Sequence, residues 1–195
     1  MDIELCQLSK VYYFNLQKYY KILKERNTLL KKMAKNGSLL EDTLDIWDKQ
    51  LCAYGTKLAD ERKNFIENLN LKAERIHCDI SASKENLKIE YKESVDYNNF
   101  YEKMVKNRDK DIFYGNTCVG IHKDDMVFYI NGNNARDYAS QGQQRTICLS
   151  LKMAEVELIK EKTGAYPVLL LDDVLSELDK NRQDYILKSI NNIQT

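Results

Sequence analysis

Residues 167–179 read PVLLLDDVLSELD. Val168, Leu169, Leu170 and Leu171 follow the only proline of the chain with no polar alternation. That is the pattern of a strand covered on both faces, as in a parallel sheet. Asp172 and Asp173 then fall at its carboxyl end, the edge at which open α/β sheets bind ligands. A carboxylate placed there needs a cation, a donor or water, because burying it unpaired is costly. A strand that simply surfaces, with its aspartates capping the next turn, reads the same way. The surrounding sequence therefore has to decide.

Upstream, Ala139-Ser140-Gln141-Gly142-Gln143-Gln144-Arg145 precedes a helix expected from Gln143 to about Lys162. That helix buries Ile147, Leu151, Ala154 and Leu158 and stops at Thr163-Gly164. A small-residue loop with Gly142 lets backbone N–H groups approach an anion. The helix start adds roughly half a positive charge, which suits a phosphate. The Ser140 hydroxyl and the Gln143 amide can add hydrogen bonds. Taken alone, the same residues are an ordinary serine N-cap. Downstream, Arg182 to Ile193 forms a last amphipathic helix.

The N-terminal part has a different texture. Tyr12, Leu16, Tyr19, Leu23, Arg26, Leu30 and Met33 alternate spacings of four and three, a helix with a heptad stripe. Asn36-Gly37 stops it, and Ser38 with Glu41 forms a capping box for the next helix. A second stripe runs through Leu40, Leu44, Trp47, Leu51, Tyr54, Leu58 and Phe65. Two striped helices joined by a tight turn predict an antiparallel hairpin over residues 8 to 78. At about 1.5 Å per residue it is roughly 40 Å or more long. Gly55 is a weak point in it, costing about 1 kcal/mol relative to alanine. After about residue 80, Leu87–Tyr91 and Met126–Ile130 read as short strands, the second ending in the turn Asn131-Gly132-Asn133. Asn99 to Arg108 reads as helix.

Composition agrees with a helical chain. Of 195 residues 31% are charged, one is proline and seven are glycine. The formal net charge is zero, yet Lys10 to Lys35 holds eight Lys or Arg against one acid, Glu25. Neutrality thus hides a basic arm. The five cysteines form no C-x-x-C pair, and with two histidines they suggest neither a zinc site nor a disulfide framework. No run reaches 18 apolar residues and no signal-peptide pattern opens the chain, so no membrane partner and a cytoplasmic location are expected.

The order of the parts is more specific than any one of them. A serine-glycine-glutamine loop opens a helix, an apolar strand ending in two acids follows, and Ser176-Glu177-Leu178-Asp179 comes directly after. This resembles the signature motif, Walker B strand and D-loop of ABC-type ATPases. Within that class, SQGQQRT followed by LLLDDVLSELDKNRQ resembles the RecF family. The likeness extends to the opening MDIELCQL, to Gly120-Ile121-His122-Lys123-Asp124-Asp125 and to INGNNARDYASQGQQ. It implies an α/β, mainly helical fold: a long antiparallel helical hairpin arm joined to the signature and Walker B part of an ABC-type ATPase head. The expected division is 1–110 for the arm with a short strand element, and 111–195 for the partial head.

The resemblance also implies roles. Asp172 would hold Mg²⁺, and Asp173 would polarise the attacking water. Ser140, Gln141, Gly142 and Gln143 would take the γ-phosphate of ATP bound to the other protomer, and Ser176 and Asp179 would line the dimer interface. The basic face of the first long helix, Lys18, Lys21, Lys24, Arg26, Lys31 and Lys32, would contact DNA phosphates. The implied activity is that of a weak DNA-dependent ATPase of recombinational repair, replication and the SOS response. It dimerises on ATP, binds gapped DNA at single-strand/double-strand junctions, works with RecR-type mediators and aids recombinase loading.

The departures from the family pattern matter. No G-x-x-x-x-G-K-[ST] occurs, since none of the seven glycines precedes a lysine. The resemblance thus implies a C-terminal half without the P-loop, able to use ATP and Mg²⁺ only with the other half. Ile121 and Lys123 stand where the family usually has Pro and Arg. Two other classes fit parts of the sequence: a non-enzymatic helical-hairpin interaction module, and a metal-dependent phosphotransferase or nuclease using Asp172 and Asp173. The second has no need of the SQGQQ element at this spacing.

Overall fold

The computed structural model of the protein describes residues 1–36, 41–171, 180–191 and 193–195. In chain order its elements are α1 (Asp2–Leu8), α2 (Lys10–Asn36), α3 (Glu41–Ile80), β1 (Leu87–Lys92), α4 (Phe100–Lys106) and α5 (Arg108–Tyr114). They continue with β2 (Asp125–Ile130), β3 (Asn133–Asn134), α6 (Ala135–Tyr138), α7 (Gln141–Thr163) and α8 (Lys180–Ser189). The described residues are thus mainly helical with one small sheet, of strand order β1-β2-β3. They group into two compact units, Met1–Asn64 with Tyr91–Asp125, and Phe65–Glu90 with Met126–Thr195.

In the first unit the heptad stripe of α2 becomes a seam. Tyr12, Tyr19, Leu23, Leu30 and Met33 are buried there, as are Leu44, Leu51 and Leu58 of α3. The cross-helix partners run in opposite order: Tyr12 meets Arg62, Tyr19 faces Gly55, Arg26 pairs with Asp48, and Leu29, Leu30 and Met33 cluster with Leu44. Each step up α2 is matched by an equal step down α3, so the hairpin is antiparallel, as the two stripes predict. Each fully buried leucine contributes about 1.5–3 kcal/mol. The expected stop at Gly37 and the Ser38 cap lie outside the described residues.

Two residues of the hairpin depart from their sequence reading. A Cβ on Gly55 would lie 2.7 Å from Phe100 Cε1 and 3.2 Å from Tyr19 Cε2. The glycine expected to weaken α3 is what admits the Phe100 ring against the helix. Arg26, counted with the basic DNA-contacting face, is fully buried instead. Its Nε donates to Asp48 Oδ1 at 2.6 Å, and its Nη1 to Asp111 Oδ2 at 2.8 Å and Thr117 Oγ1 at 2.7 Å. Three acceptors from α3, α5 and the loop after α5 converge on one guanidinium, so its position in the seam outranks its charge. Arg108 shares Asp48 at 2.8 Å.

The stretch Gly120–Asp125 ties the same unit together. Gly120 has φ of +123°, and a Cβ there would sit 2.5 Å from the Tyr19 hydroxyl. His122 donates from Nε2 to the Thr117 carbonyl at 3.1 Å, which leaves Nδ1 to accept from Tyr19 Oη at 2.9 Å. Burial holds His122 below the ordinary histidine value. Asp124 accepts from Tyr91 Oη, from Tyr97 Oη at 2.6 Å and from the Ser94 N–H at 2.7 Å. Arg62 reaches the Ile121 carbonyl at 2.6 Å and Asp2 at 2.7 Å.

In the second unit the later turns of α3 bury Phe65, Ile66, Leu69, Ala73, Ile76 and Ile80. Asn70 accepts from the Ile89 N–H of β1 at 2.6 Å, while Arg75 pairs with Glu157 at 2.5 Å. β2 and β3 pair antiparallel, with Tyr129 opposite Asn134 and Ile130 opposite Asn133. Asn131 and Gly132 between them have φ of 50° and 81°, the left-handed pair of a type I′ hairpin turn. The helix expected over Asn99–Arg108 is interrupted at Asn107, whose side chain donates to the Lys103 carbonyl at 2.8 Å and separates α4 from α5.

The apolar run Val168–Leu171 is not the buried strand that its sequence predicts. Residues 165–171 form no strand, and Val168 and Leu170 are 60% and 88% exposed. The backbone bond here runs from the Leu169 N–H to the Gln194 carbonyl at 2.9 Å. A buried strand takes its cover from neighbours on both faces, whereas here Val168 and Leu170 face solvent and only Pro167, Leu169 and Leu171 are half-buried. No helix among the described residues is long and apolar enough to cross a membrane.

Candidate functional site

The start of α7 is built as its sequence suggests. Ser140 is the N-cap, with extended backbone (φ −63°, ψ 160°). Its Oγ accepts from the Gln143 N–H at 3.3 Å, and Gln143 Oε1 accepts from the Ser140 N–H at 2.9 Å. This reciprocal capping box leaves the amides of Gln141 and Gly142 at the positive end of a 23-residue helix. The helix is held in place by Thr146, Ile147, Leu149, Ser150, Met153, Ala154, Val156 and Leu158, all buried, with Leu151 half-buried. Gly164, with φ of 79°, closes its far end.

Ser140 and Gln141 are exposed, while Gly142 and Gln143 are half-buried. The four residues are therefore brought together at one solvent-facing helix end. Among the described residues a Cβ on Gly142 would meet only the Arg182 guanidinium, at an ordinary 3.7 Å. Packing against those residues therefore does not demand a glycine at 142, in contrast to Gly55. Gln143 also donates from Nε2 to Glu85 Oε1 at 3.1 Å. Glu85 in turn meets His77, which is fully buried at the end of α3. Burial pushes His77 below the ordinary histidine value. Neither Glu85 nor His77 figured among the expected site residues. Glu85 lies in a turn with no periodic signal, and an isolated histidine on a helix gives no hint of a partner eight residues on.

Asp172, Asp173, Ser176 and Asp179 lie outside the described residues. Of the basic face, Lys21, Lys24, Lys31 and Lys32 are exposed on α2. Lys18 is half-buried, its ammonium 5.2 Å from the centre of the Phe14 ring. Arg26 is not part of this surface.

No protein-family model matches the chain. The DNA replication and repair protein RecF of Lachnospira eligens is 52% identical over 196 residues, covering 100% of this chain and 54% of that protein. The protein of the same name from Lachnoclostridium phytofermentans is 51% identical over 195 residues, with the same coverage. Over its whole length the chain is similar to RecF proteins. It spans about half the length of the RecF relatives it matches. Two solved structures extend the likeness to three dimensions. The recombination mediator protein RecF-ATP of the RecFOR pathway superposes with a TM-score of 0.90 at 39% identity, over 99% of this chain and 54% of that one. The RecF-ATPrS structure of the same pathway gives 0.88 at 40% identity. The mainly helical architecture with its small sheet is thus shared with these RecF structures, over 99% of this chain.

Proposed function

We propose that this chain supplies the signature-loop side of an ATP-dependent dimer interface in a RecF-type DNA-repair protein. The supporting observation is the start of α7: an exposed serine cap, helix-start amides that the capping box does not use, and a glycine that packing against the described residues does not require. A phosphate presented by a second protomer fits such a site, because backbone amides and the helix dipole favour an anion at close approach. Ser140 would donate its hydroxyl, the Gln141 and Gly142 amides would point at the phosphate oxygens, and Gly142 would leave room for them.

The motif resemblance assigns the remaining roles. Asp172 would hold Mg²⁺ and Asp173 would orient the attacking water, with Ser176 and Asp179 at the subunit contact. ATP supplies the charge that such an interface receives. DNA binding at single-strand/double-strand junctions would use the exposed lysines of α2, whose contacts to phosphates are independent of sequence. RecR-type partners and a cytoplasmic location follow from the same reading.

The test uses a full-length protein that carries this chain in place of the matching segment of the Lachnospira eligens relative. Ser140→Arg is expected to abolish ATP-driven dimerisation, measured by sedimentation, while each monomer still binds nucleotide. Asp173→Asn is expected to do the reverse, keeping the ATP-bound dimer and losing its hydrolysis. Dimerisation of Ser140→Arg with ATP would refute the loop assignment and leave residues 139–145 as a well-capped helix start.

A further inference from the structure

A continuous hydrogen-bond chain runs from the loop at Ser140 to the end of α3 and back into α7. The Ser140 N–H donates to Gln143 Oε1 at 2.9 Å, and Gln143 Nε2 donates to Glu85 Oε1 at 3.1 Å. Glu85 Oε2 lies 3.1 Å from His77 Nε2, and His77 Nδ1 lies 3.1 Å from Ser150 Oγ. Ser150 Oγ donates to the Thr146 carbonyl at 2.8 Å, and Thr146 Oγ1 donates to the Gly142 carbonyl at 2.8 Å. His77, Ser150 and Thr146 are fully buried, and the Glu85 side chain is 16% exposed.

The polarity of this chain is set at its solvent end. A backbone N–H can only donate, so Gln143 must turn its oxygen to Ser140 and its NH₂ to Glu85. The carboxylate of Glu85 can only accept, so neutral His77 must carry its proton on Nε2. Nδ1 is then an acceptor, and the single Ser150 proton is divided between it and the Thr146 carbonyl. Gln143 and Ser150 stand two turns apart on one face of α7, so the Glu85–His77 pair braces the first turns of that helix against the end of α3.

We propose that Glu85, anchored by His77, is the positioning residue of the Ser140–Gln143 loop. It fixes the Gln143 amide in the one orientation that caps Ser140 and leaves the Gln141 and Gly142 amides facing outward. The inference rests on the reading of that loop as a phosphate site across a dimer interface. Glu85 itself touches no phosphate; it acts through Gln143.

Glutamine at 85 separates positioning from charge. Its oxygen would still accept from Gln143, and its NH₂ would donate to His77 Nε2. His77 would then move its proton to Nδ1 and donate to Ser150, and Ser150 to Thr146, so every group keeps a partner. Alanine at 85 removes the brace altogether. The experiment uses the full-length protein that carries this chain, as above, with circular dichroism melts to confirm folding of each variant. Glu85→Ala is expected to weaken ATP-driven dimerisation by about tenfold, the loss of one charge-assisted hydrogen bond, and to speed hydrogen exchange at the Ser140 amide. Glu85→Gln is expected to stay within about twofold of the unmodified protein, with the ¹⁵N signals of His77 switching from the Nε2–H to the Nδ1–H tautomer. Unchanged dimerisation of Glu85→Ala, where Ser140→Arg abolishes it, overturns the proposal. So does a glutamine variant as weak as alanine with no change of tautomer. If Ser140→Arg still dimerises, the loop reading fails separately, and the exchange rate and tautomer still decide whether Glu85 positions Gln143.

Discussion

Replacing Arg26 by leucine tests whether this residue belongs to the hairpin core or to a DNA-facing surface. The guanidinium is fully buried and holds Asp48, Asp111 and Thr117. On its removal Asp48 keeps Arg108 at 2.8 Å, but Asp111 keeps no cation among the described residues, its Oδ1 accepting from the Cys118 N–H at 2.9 Å. One buried carboxylate is thus left without a cation, a loss that costs about 3–5 kcal/mol. At a typical slope of ~2 kcal/mol per M, the urea midpoint falls by roughly 2 M. Trp47 is the only tryptophan and packs against the Leu30–Leu44 cluster, so its fluorescence follows the unit in which Arg26 lies. Adding Asp111→Asn to Arg26→Leu neutralises the stranded group and should recover at least about 1 kcal/mol, a coupling a double-mutant cycle resolves. Lys24→Leu, at an exposed site on the same helix, is the control, expected within about 0.5 kcal/mol of the unmodified chain. The reasoning fails if Arg26→Leu shifts the midpoint no more than Lys24→Leu does.

Gly55→Ala should destabilise the chain by about 1–2 kcal/mol despite alanine's better helix propensity, because the new methyl meets the buried Phe100 ring at 2.7 Å; a thermal melt showing a gain would refute this. Both histidines are held by burial below the ordinary value of 6.5, so the folded chain binds fewer protons than the unfolded one as pH falls through that range. Unfolding free energy should therefore be highest above about pH 6.5 and drop toward pH 5.5, with the slope flattened in the His77→Gln/His122→Gln variant; urea titrations at pH 7.5 and 5.5 read it directly. Replacing Lys21, Lys24, Lys31 and Lys32 together by alanine should weaken binding of the full-length protein to duplex DNA uniformly across sequences. The slope of log affinity against log salt should fall by up to about 3–4, and an unchanged slope would clear α2 of any role in DNA contact.

Much of the architecture was legible in the chain itself. The alternating spacings of four and three from Tyr12 to Met33 and onward from Leu44 specify two helices that must share a seam, since each buries one stripe. Asn131-Gly132 specifies its hairpin because left-handed backbone at both positions suits few other residues. The capping box at Ser140 and Gln143 is equally local, its partners being three residues apart. What the tertiary structure alone decided is where distant residues meet. Arg26 reads as one more cation of a basic helix until Asp48, Asp111 and Thr117 arrive from 22, 85 and 91 residues away. Gly55 reads as a flaw until the ring of Phe100 is placed against it. Gln143 reads as an amide offered to a phosphate until Ser140 takes its oxygen and Glu85, 58 residues earlier, takes its NH₂. The apolar run Val168–Leu171 shows the same limit from the other side: hydrophobicity sets a preference for burial, but only a neighbouring segment can provide it.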